Sequence, residues 1–508
     1  MGFLAALPIL VILALMIGFR WGAARAGAAG YLVALAIAVL AFGAGGTVLA
    51  YAHARALVLA VDVLFIIWAA FLLFRVADEA GAIRAIGEAL PGLTAEKSMQ
   101  ALLIGWVFAS FLQGAGGFGV PVAVIAPLLT GLGFSPLAAV LIPSIGHSWA
   151  VSFGSLGSPF NALLSASGLD AQTLAPTSAL FLGLACLLVG PMVAHAAGGW
   201  PAVKSTLAPA ILLGAVMGAT QFTVAAIAGL WNLGAFVAGL VGLAVCIWVV
   251  RLRTSTASSA GRTGMPVLLA LAAYLVLIIL TVLVLLVPQV NAWMGEVTIK
   301  IPFPETTTSL GFTSPAGTNR PIHVFTHAGA ILTYSAVIAY LIYLRYGRYQ
   351  AGALGRILHG TVRSMMTSSV SILEMVAMAT IMSQSGMTEA LAQGLAALAG
   401  TAFPVIAPWI GAIGAFMTGS NTNSNVVFAS LQLRTAQLLS YNPAIILAAQ
   451  TAGAGLASVA APTKVVVGAS TAGMAGKEGE VLRALIGYTL LLLLFISLVC
   501  GIGILLTN

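Results

Sequence analysis

Residues 414–432 read GAFMTGSNTNSNVVFASLQ, where six consecutive polar residues, Ser420 to Asn425, interrupt an otherwise apolar run. Of the 508 residues 61% are hydrophobic and 6% charged, whereas soluble domains carry roughly a quarter charged residues. No water-soluble core could hide that much apolar surface, so the chain belongs in a bilayer. Six polar side chains in a row are too costly there to serve packing alone. A helix interrupted at membrane depth exposes backbone N–H and C=O groups, which is tolerated only inside protein or along a wet cavity.

Three other stretches behave alike: 111–129 (FLQGAGGFGVPVAVIAPLL), 146–160 (GHSWAVSFGSLGSPF) and 457–470 (ASVAAPTKVVVGAS). The Gly117-to-Gly157 and Asn421-to-Pro462 separations, 40 and 41 residues, are nearly equal. The spacing predicts two inverted halves, about 1–250 and about 265–508, within one transmembrane domain. Each would hold a re-entrant hairpin followed by a discontinuous helix, at 99–165 and at 404–473. Paired breaks of this kind mark a substrate site near the bilayer midplane, with half-helix N-termini aimed at an anion. The plainer reading is that these glycines let helices pack closely.

Between the breaks, apolar runs such as 3–19, 28–50, 56–76, 176–197, 206–222, 226–250, 365–387 and 482–506 are long enough to span. They lack the alternation of barrel strands, so the fold class is all-α and polytopic. Met1-Gly2 offers no basic start, and the first run reads as a helix rather than a signal peptide. Cys186, Cys246 and Cys500 lie in apolar runs without metal spacing and read as packing residues. The net charge of +8 comes from basic residues scattered in loops, so it reports topology and not nucleic-acid binding. Arg20 and Arg25, then Arg251, Arg253 and Arg262, then Arg345, Arg348, Arg356 and Arg363, mark three cytoplasmic loops. The Pro- and Thr-rich segment 289–322 falls outside.

Ionisable groups left within spans are Asp62, Glu374, Lys464, His147, His195 and His327, and intramembrane charges usually line pathways or pair with one another. Uptake of a monoanion against the membrane potential costs about 2.3 kcal/mol per charge at 100 mV, so a cation must travel along. Glu374 reads as the principal proton-coupling group, answered by Lys464, with His147 and Asp62 as further candidates. Structural pairing is the bland alternative for each. Asp62 has no partner visible in the sequence and would face a wet vestibule.

GAGGFGVPVAVIAPLLTGLGF (114–134), VSFGSLGSP (151–159), MSQSGM (382–387), GSNTNSNVVFASLQ and GMAGKEGEVLR (473–483), in this order, resemble the bacterial lactate permease family, which includes glycolate permeases. The resemblance covers most of the chain. It implies proton-coupled symport of a small 2-hydroxymonocarboxylate, and an elevator-type fold of the ion-transporter superfamily in the bacterial inner membrane. Ser420–Thr422 resembles the tip motif of carboxylate transporters in that superfamily. The chain departs from the family pattern at Gln113, where Glu is usual, and at Asn421, where some members have Asp. Glu374 and Lys464 stand where neutral residues are expected, and His147 and Trp149 replace small or amide residues.

The candidate substrate site joins Gly116, Gly117, Phe118, Gly119, Ser155, Gly157 and Ser158 with Ser420, Asn421, Thr422, Asn423, Ser424, Asn425, Thr463 and Lys464. Backbone N–H groups and Ser, Thr and Asn donors would hold a carboxylate weakly enough to release it. No cofactor, metal, enzymatic activity or nucleic-acid partner is expected; the partners are a small organic anion and lipid, and a homo-oligomer is compatible with the sequence. Three alternatives stand: a sodium-coupled carrier of a dicarboxylate or sulfonate, a membrane-embedded serine hydrolase using GSLG at 154–157, and a channel.

Overall fold

The computed structural model describes residues 1–19, 21–117, 119–227, 229–253, 264–319 and 321–507. Phe118, Arg20 and Arg262 therefore lie outside the described residues. Among the described residues ten helices are long and apolar enough to cross a membrane, or up to twelve if each bent pair is one span. Exposed leucines such as Leu40, Leu398 and Leu505 would be unfavourable in water and belong against lipid tails.

The chain opens with α1 (Gly2–Ile17), α2 (Ala23–Leu40) and the long α3 (Gly46–Glu79). A first hairpin follows, α4 (Lys97–Ala115) and α5 (Val120–Gly131), then a span bent by 49° into α6 (Pro136–His147) and α7 (Gly154–Ser167). The run α8 (Ala171–Phe222) folds back at Gly198–Gly199, where helical geometry is lost. Gly183 lies against Gly218 there, and Gly190 against Ala210, small residues that let two antiparallel backbones approach. Next come α9 (Gly234–Arg253), α10 (Ala272–Leu286), α11 (Ala328–Arg345), α12 (Ala353–Gln384) and α13 (Met387–Ala399). The second hairpin is α14 (Phe403–Thr418) and α15 (Asn421–Leu438), followed by α16 (Pro443–Ala457), α17 (Pro462–Thr471) and the terminal α18 (Glu478–Thr507).

Contacts sort the helix ends onto two faces. On one, Arg253 pairs with Glu96 (3.6 Å), Arg356 with Glu79 (2.7 Å), and Arg348 donates to Gly264 O (2.9 Å). Lys97 donates to Leu132 O, so both ends of the first hairpin sit on this arginine-bearing face. The opposite face carries a β-ribbon built from three nested antiparallel pairs: Thr298–Ile299 with Ile322–His323, Pro302–Phe303 with Gly317–Thr318, and Thr306–Thr307 with Thr313–Ser314. Ser309 N donates to Gly43 O (2.9 Å) and Ser314 Oγ to Gln384 Oε1 (2.7 Å), tying the ribbon to the ends of α2 and α12. Arg434, near the end of the second hairpin, pairs with Glu389 just beyond the ribbon-tied end of α12, which brings that hairpin's end to the ribbon face. The two hairpins thus enter from opposite faces.

Several boundaries differ from the sequence reading, each for a local reason. The apolar run 28–50 hides a turn, because Gly43 takes φ +67° and lets α2 stop at Leu40. Arg356 and Arg363 are not in a loop: α12 starts at Ala353, behind an αL cap at Gly352. Asn421–Asn425 do not unwind either. Ser420 caps α15, its Oγ accepting from Asn423 N at 3.2 Å, so the interruption is confined to Gly419 (φ +70°) and Ser420 and the asparagines form the first helical turn. The ribbon was not foreseen.

Candidate functional site

The hairpin tips and the broken spans meet in the middle of the molecule. In the first half Ser155, Leu156 and Gly157 take φ +48°, +53° and +79°, one left-handed turn inside the break. For Ser155 and Leu156 that conformation costs roughly 1–2 kcal/mol each, strain that persists only where the surroundings impose it. They do. Asn161 Nδ2 donates to Gly157 O (3.0 Å) and Asn232 Oδ1 (2.7 Å), and Trp231 Nε1 donates to Asn161 Oδ1 (3.2 Å). Ser155 Oγ reaches Gly116 O at 3.5 Å, and a Cβ at Gly117 would run into it. Gly119, in the αL region, caps α5.

The second half reaches across through its asparagines. Asn421 Nδ2 donates to Ser152 Oγ (3.0 Å) and Thr451 O (3.3 Å), and Asn425 Nδ2 to Pro159 O (2.9 Å) and Thr451 Oγ1 (3.0 Å). Ser152 Oγ donates in turn to Thr451 O (2.9 Å). Asn423 Nδ2 donates to Ser371 Oγ of α12 (3.1 Å), and Ser424 Oγ to Gly411 O (2.7 Å). Thr422 and Ser158 are buried nearby, whereas Thr463 is exposed, its Oγ1 filling the space over Gly419.

This bonding corrects one expectation. The asparagine amide nitrogens, read as donors for a carboxylate, are already engaged by protein acceptors. What remains buried and unpartnered is the oxygen side: Asn421, Asn423 and Asn425 Oδ1 and Gln113 Oε1, together with Ser158 Oγ. Carbonyl oxygens attract a hydroxyl or a cation and repel a carboxylate. Ser152, Asn161, Asn232, Ser371 and Thr451 were missed; the signal for Thr451 was available, since Gln450-Thr451 is the one polar pair in α16.

The charged candidates are scattered. Lys464 Nζ donates to Ser458 Oγ (3.0 Å) beside the second break. Glu374 points instead at α2, where a Cβ on Gly27 would come within 3.0 Å of its Oε2, an oxygen buried without a partner. The expected Glu374–Lys464 pair does not form, because α12 packs on α2, α3 and α15 whereas α17 packs on α5, α6, α14 and α18. His147 Nδ1 donates to Pro143 O (2.6 Å), leaving Nε2 buried and unpaired. Asp62 has the partners the sequence did not reveal: His327 Nε2 at 2.9 Å and Ser165 Oγ at 2.8 Å. His327 Nδ1 accepts from Gly329 N (3.2 Å), which puts the ring proton on Nε2, toward Asp62.

Asp62 lines a cavity of about 870 Å³ that opens under the ribbon, with Arg55, Ser165, Asp170, Trp231, Phe303, Asn319, Gln384 and Ser430 also in its wall. Asp170 caps α8 at the rim; the Thr173 backbone N–H and hydroxyl (2.8 and 2.9 Å) hold its carboxyl below the ordinary range.

A predominantly helical bundle with two hairpins entering from opposite faces, crossed broken spans and a vestibule of about 870 Å³ is a multi-pass membrane permease. Ser155 Oγ faces the Gly116 carbonyl, and the relatives are permeases. The chain belongs to the L-lactate permease family, which it matches over residues 2–507. It is 28% identical to glycolate permease GlcA of Escherichia coli (strain K12), over 84% of this chain and 82% of that one. It is 27% identical to the L-lactate permease of Bacillus subtilis (strain 168), over 86% and 83%. Among solved structures, the YdaH transporter of Alcanivorax borkumensis is similar at TM-score 0.47 and 17% identity, covering 87% of this chain and 85% of that one.

Proposed function

We propose that the protein is a symporter that brings a small 2-hydroxymonocarboxylate, lactate or glycolate, across the bacterial inner membrane together with protons. The relatives named as lactate and glycolate permeases support the substrate. The observation that carries the mechanism is the central crossing, where Asn421 and Asn425 of one half bond Ser152 and Pro159 of the other. Unpartnered amide oxygens there suit the 2-hydroxyl of such an acid. The halves about 1–250 and about 265–508 form an inverted pair whose hairpins and broken helices move as an elevator, a reading supported by their entry from opposite faces.

Glu374 is the proton carrier in this scheme: its Oε2 is buried without a hydrogen-bond partner, and among the described residues no cation lies in ion-pair reach, which makes that oxygen a place for a proton. The arginine-bearing face is cytoplasmic. Counterflow of labelled lactate in proteoliposomes, with competitor acids, tests the substrate: lactate and glycolate should compete best, and exchange of neither would end the proposal. One observation favours a second reading. The Oδ1 atoms of Asn421 and Asn425, one turn apart on the same face of α15, are hard oxygen donors of the kind a sodium ion accepts, so uptake that survives collapse of the proton gradient but stops when potassium replaces sodium would move the coupling to sodium.

A further inference from the structure

We propose that Arg55 is the capture site for the substrate's carboxylate, a station at the vestibule mouth that selects monoanions before they reach the hairpin tips. This rests on the anion-carrier reading above. The tips offer oxygens and engaged nitrogens, so the carboxylate needs a positive group elsewhere, and Arg55 is the one lysine or arginine among the described residues lining the vestibule.

Its environment leaves that charge available. Among the described residues no carboxylate lies within ion-pair distance of Arg55. Among the described residues its Nη2 makes a long contact of 3.4 Å to Pro315 O, its Nη1 makes no hydrogen bond, and its Nε is buried without a partner. The guanidinium lies 4.6 Å from the centroid of Phe303, a stacking contact that holds it against the ribbon at the rim. A guanidinium held in this way is suited to pairing with a carboxylate, and a half-buried position strengthens the attraction relative to bulk water.

The same wall argues for one negative charge. Arg55, Val58, Leu59 and Asp62 all line the cavity, the i, i+3, i+4, i+7 face of α3. Asp62 therefore lies about 10 Å deeper than Arg55 along the helix axis. Asp170 at the rim faces a second carboxylate with like charge, so a dicarboxylate gains at Arg55 and loses at that acid. A lactate-sized anion presents its hydroxyl end to this polar floor without that penalty.

The test uses the full-length protein in proteoliposomes and initial rates of labelled lactate uptake at low and high ionic strength, about 20 and about 200 mM, a range over which exposed charges become screened. In the parent, KM should rise with salt, and succinate should inhibit at least about tenfold more weakly than glycolate. Arg55→Gln should raise KM about tenfold, about 1.4 kcal/mol, with Vmax changed less than about twofold and the salt dependence lost. Arg55→Lys should keep most of it. Arg55→Cys treated with the cationic 2-aminoethyl methanethiosulfonate should recover a low KM, and treated with the neutral methyl reagent should not; Cys186, Cys246 and Cys500 are buried. An unchanged KM and salt slope in Arg55→Gln, or equal recovery with both reagents, overturns the proposal. A parent that carries neither lactate nor glycolate removes the underlying reading instead, and the same comparison on the anion it does carry then decides Arg55.

Discussion

Gly117→Ala is the most informative single change at the crossing, because two separate penalties meet there. Gly117 has φ +64°, a region that costs an L-residue roughly 1–2 kcal/mol. A Cβ at that position would overlap Ser155 Oγ and lie 3.0 Å from Ser155 Cβ, so rotating the serine does not free the space. Overpacking of that kind costs typically about 1–3 kcal/mol, giving about 2–5 kcal/mol in total. Ser155→Gly removes both clashing atoms, leaves Gln113 Nε2 at an ordinary 3.4 Å, and relieves the left-handed strain at φ +48°. The double variant should therefore recover at least about 1 kcal/mol relative to the sum of the singles. Thermal unfolding in detergent gives the stability cycle, and lactate counterflow gives the functional one. Additive effects, within about 0.5 kcal/mol, would show that the first hairpin tip does not rest on the left-handed turn and would refute this account of the break.

Asn425→Leu removes two buried hydrogen bonds, one crossing between the halves to Pro159 O and one to Thr451 Oγ1 of its own half, and should lower stability by about 1–3 kcal/mol and abolish exchange; retained exchange would show that the crossing is structural alone. Glu374→Gln should lose accumulation driven by a pH gradient and keep counterflow, and accumulation equal to the parent would mark Glu374 as a packing group. Asp170→Ala should lower the melting temperature at neutral pH by removing the α8 cap. Because its folded pKa is depressed, the Asp170 contribution is present above the ordinary carboxylate range and fades as pH falls through and below it, so the two melting curves should converge in acid.

Hydropathy is a local property, and the sequence alone therefore determined the all-helical membrane class and marked both breaks. Three φ-positive residues at 155–157 and the Gly419-Ser420 tip fall inside stretches singled out for their Gly, Ser and Asn content. Of the cavity wall only Asp62 was legible. Arg55 was not singled out, because its place depends on the ribbon that folds over it, and short Thr-rich strands carry little periodicity to read. Nor could the sequence tell that Asn421 would turn its nitrogen to Ser152, 269 residues away, or that Asp62 would find His327 at a separation of 265. An amide offers either a donor or an acceptor to a ligand, and which one stays free depends on what the opposing helix presents. That choice is made by packing between distant segments, which is why the polar residues were visible as a site while the chemistry they leave exposed was decided only by the tertiary structure.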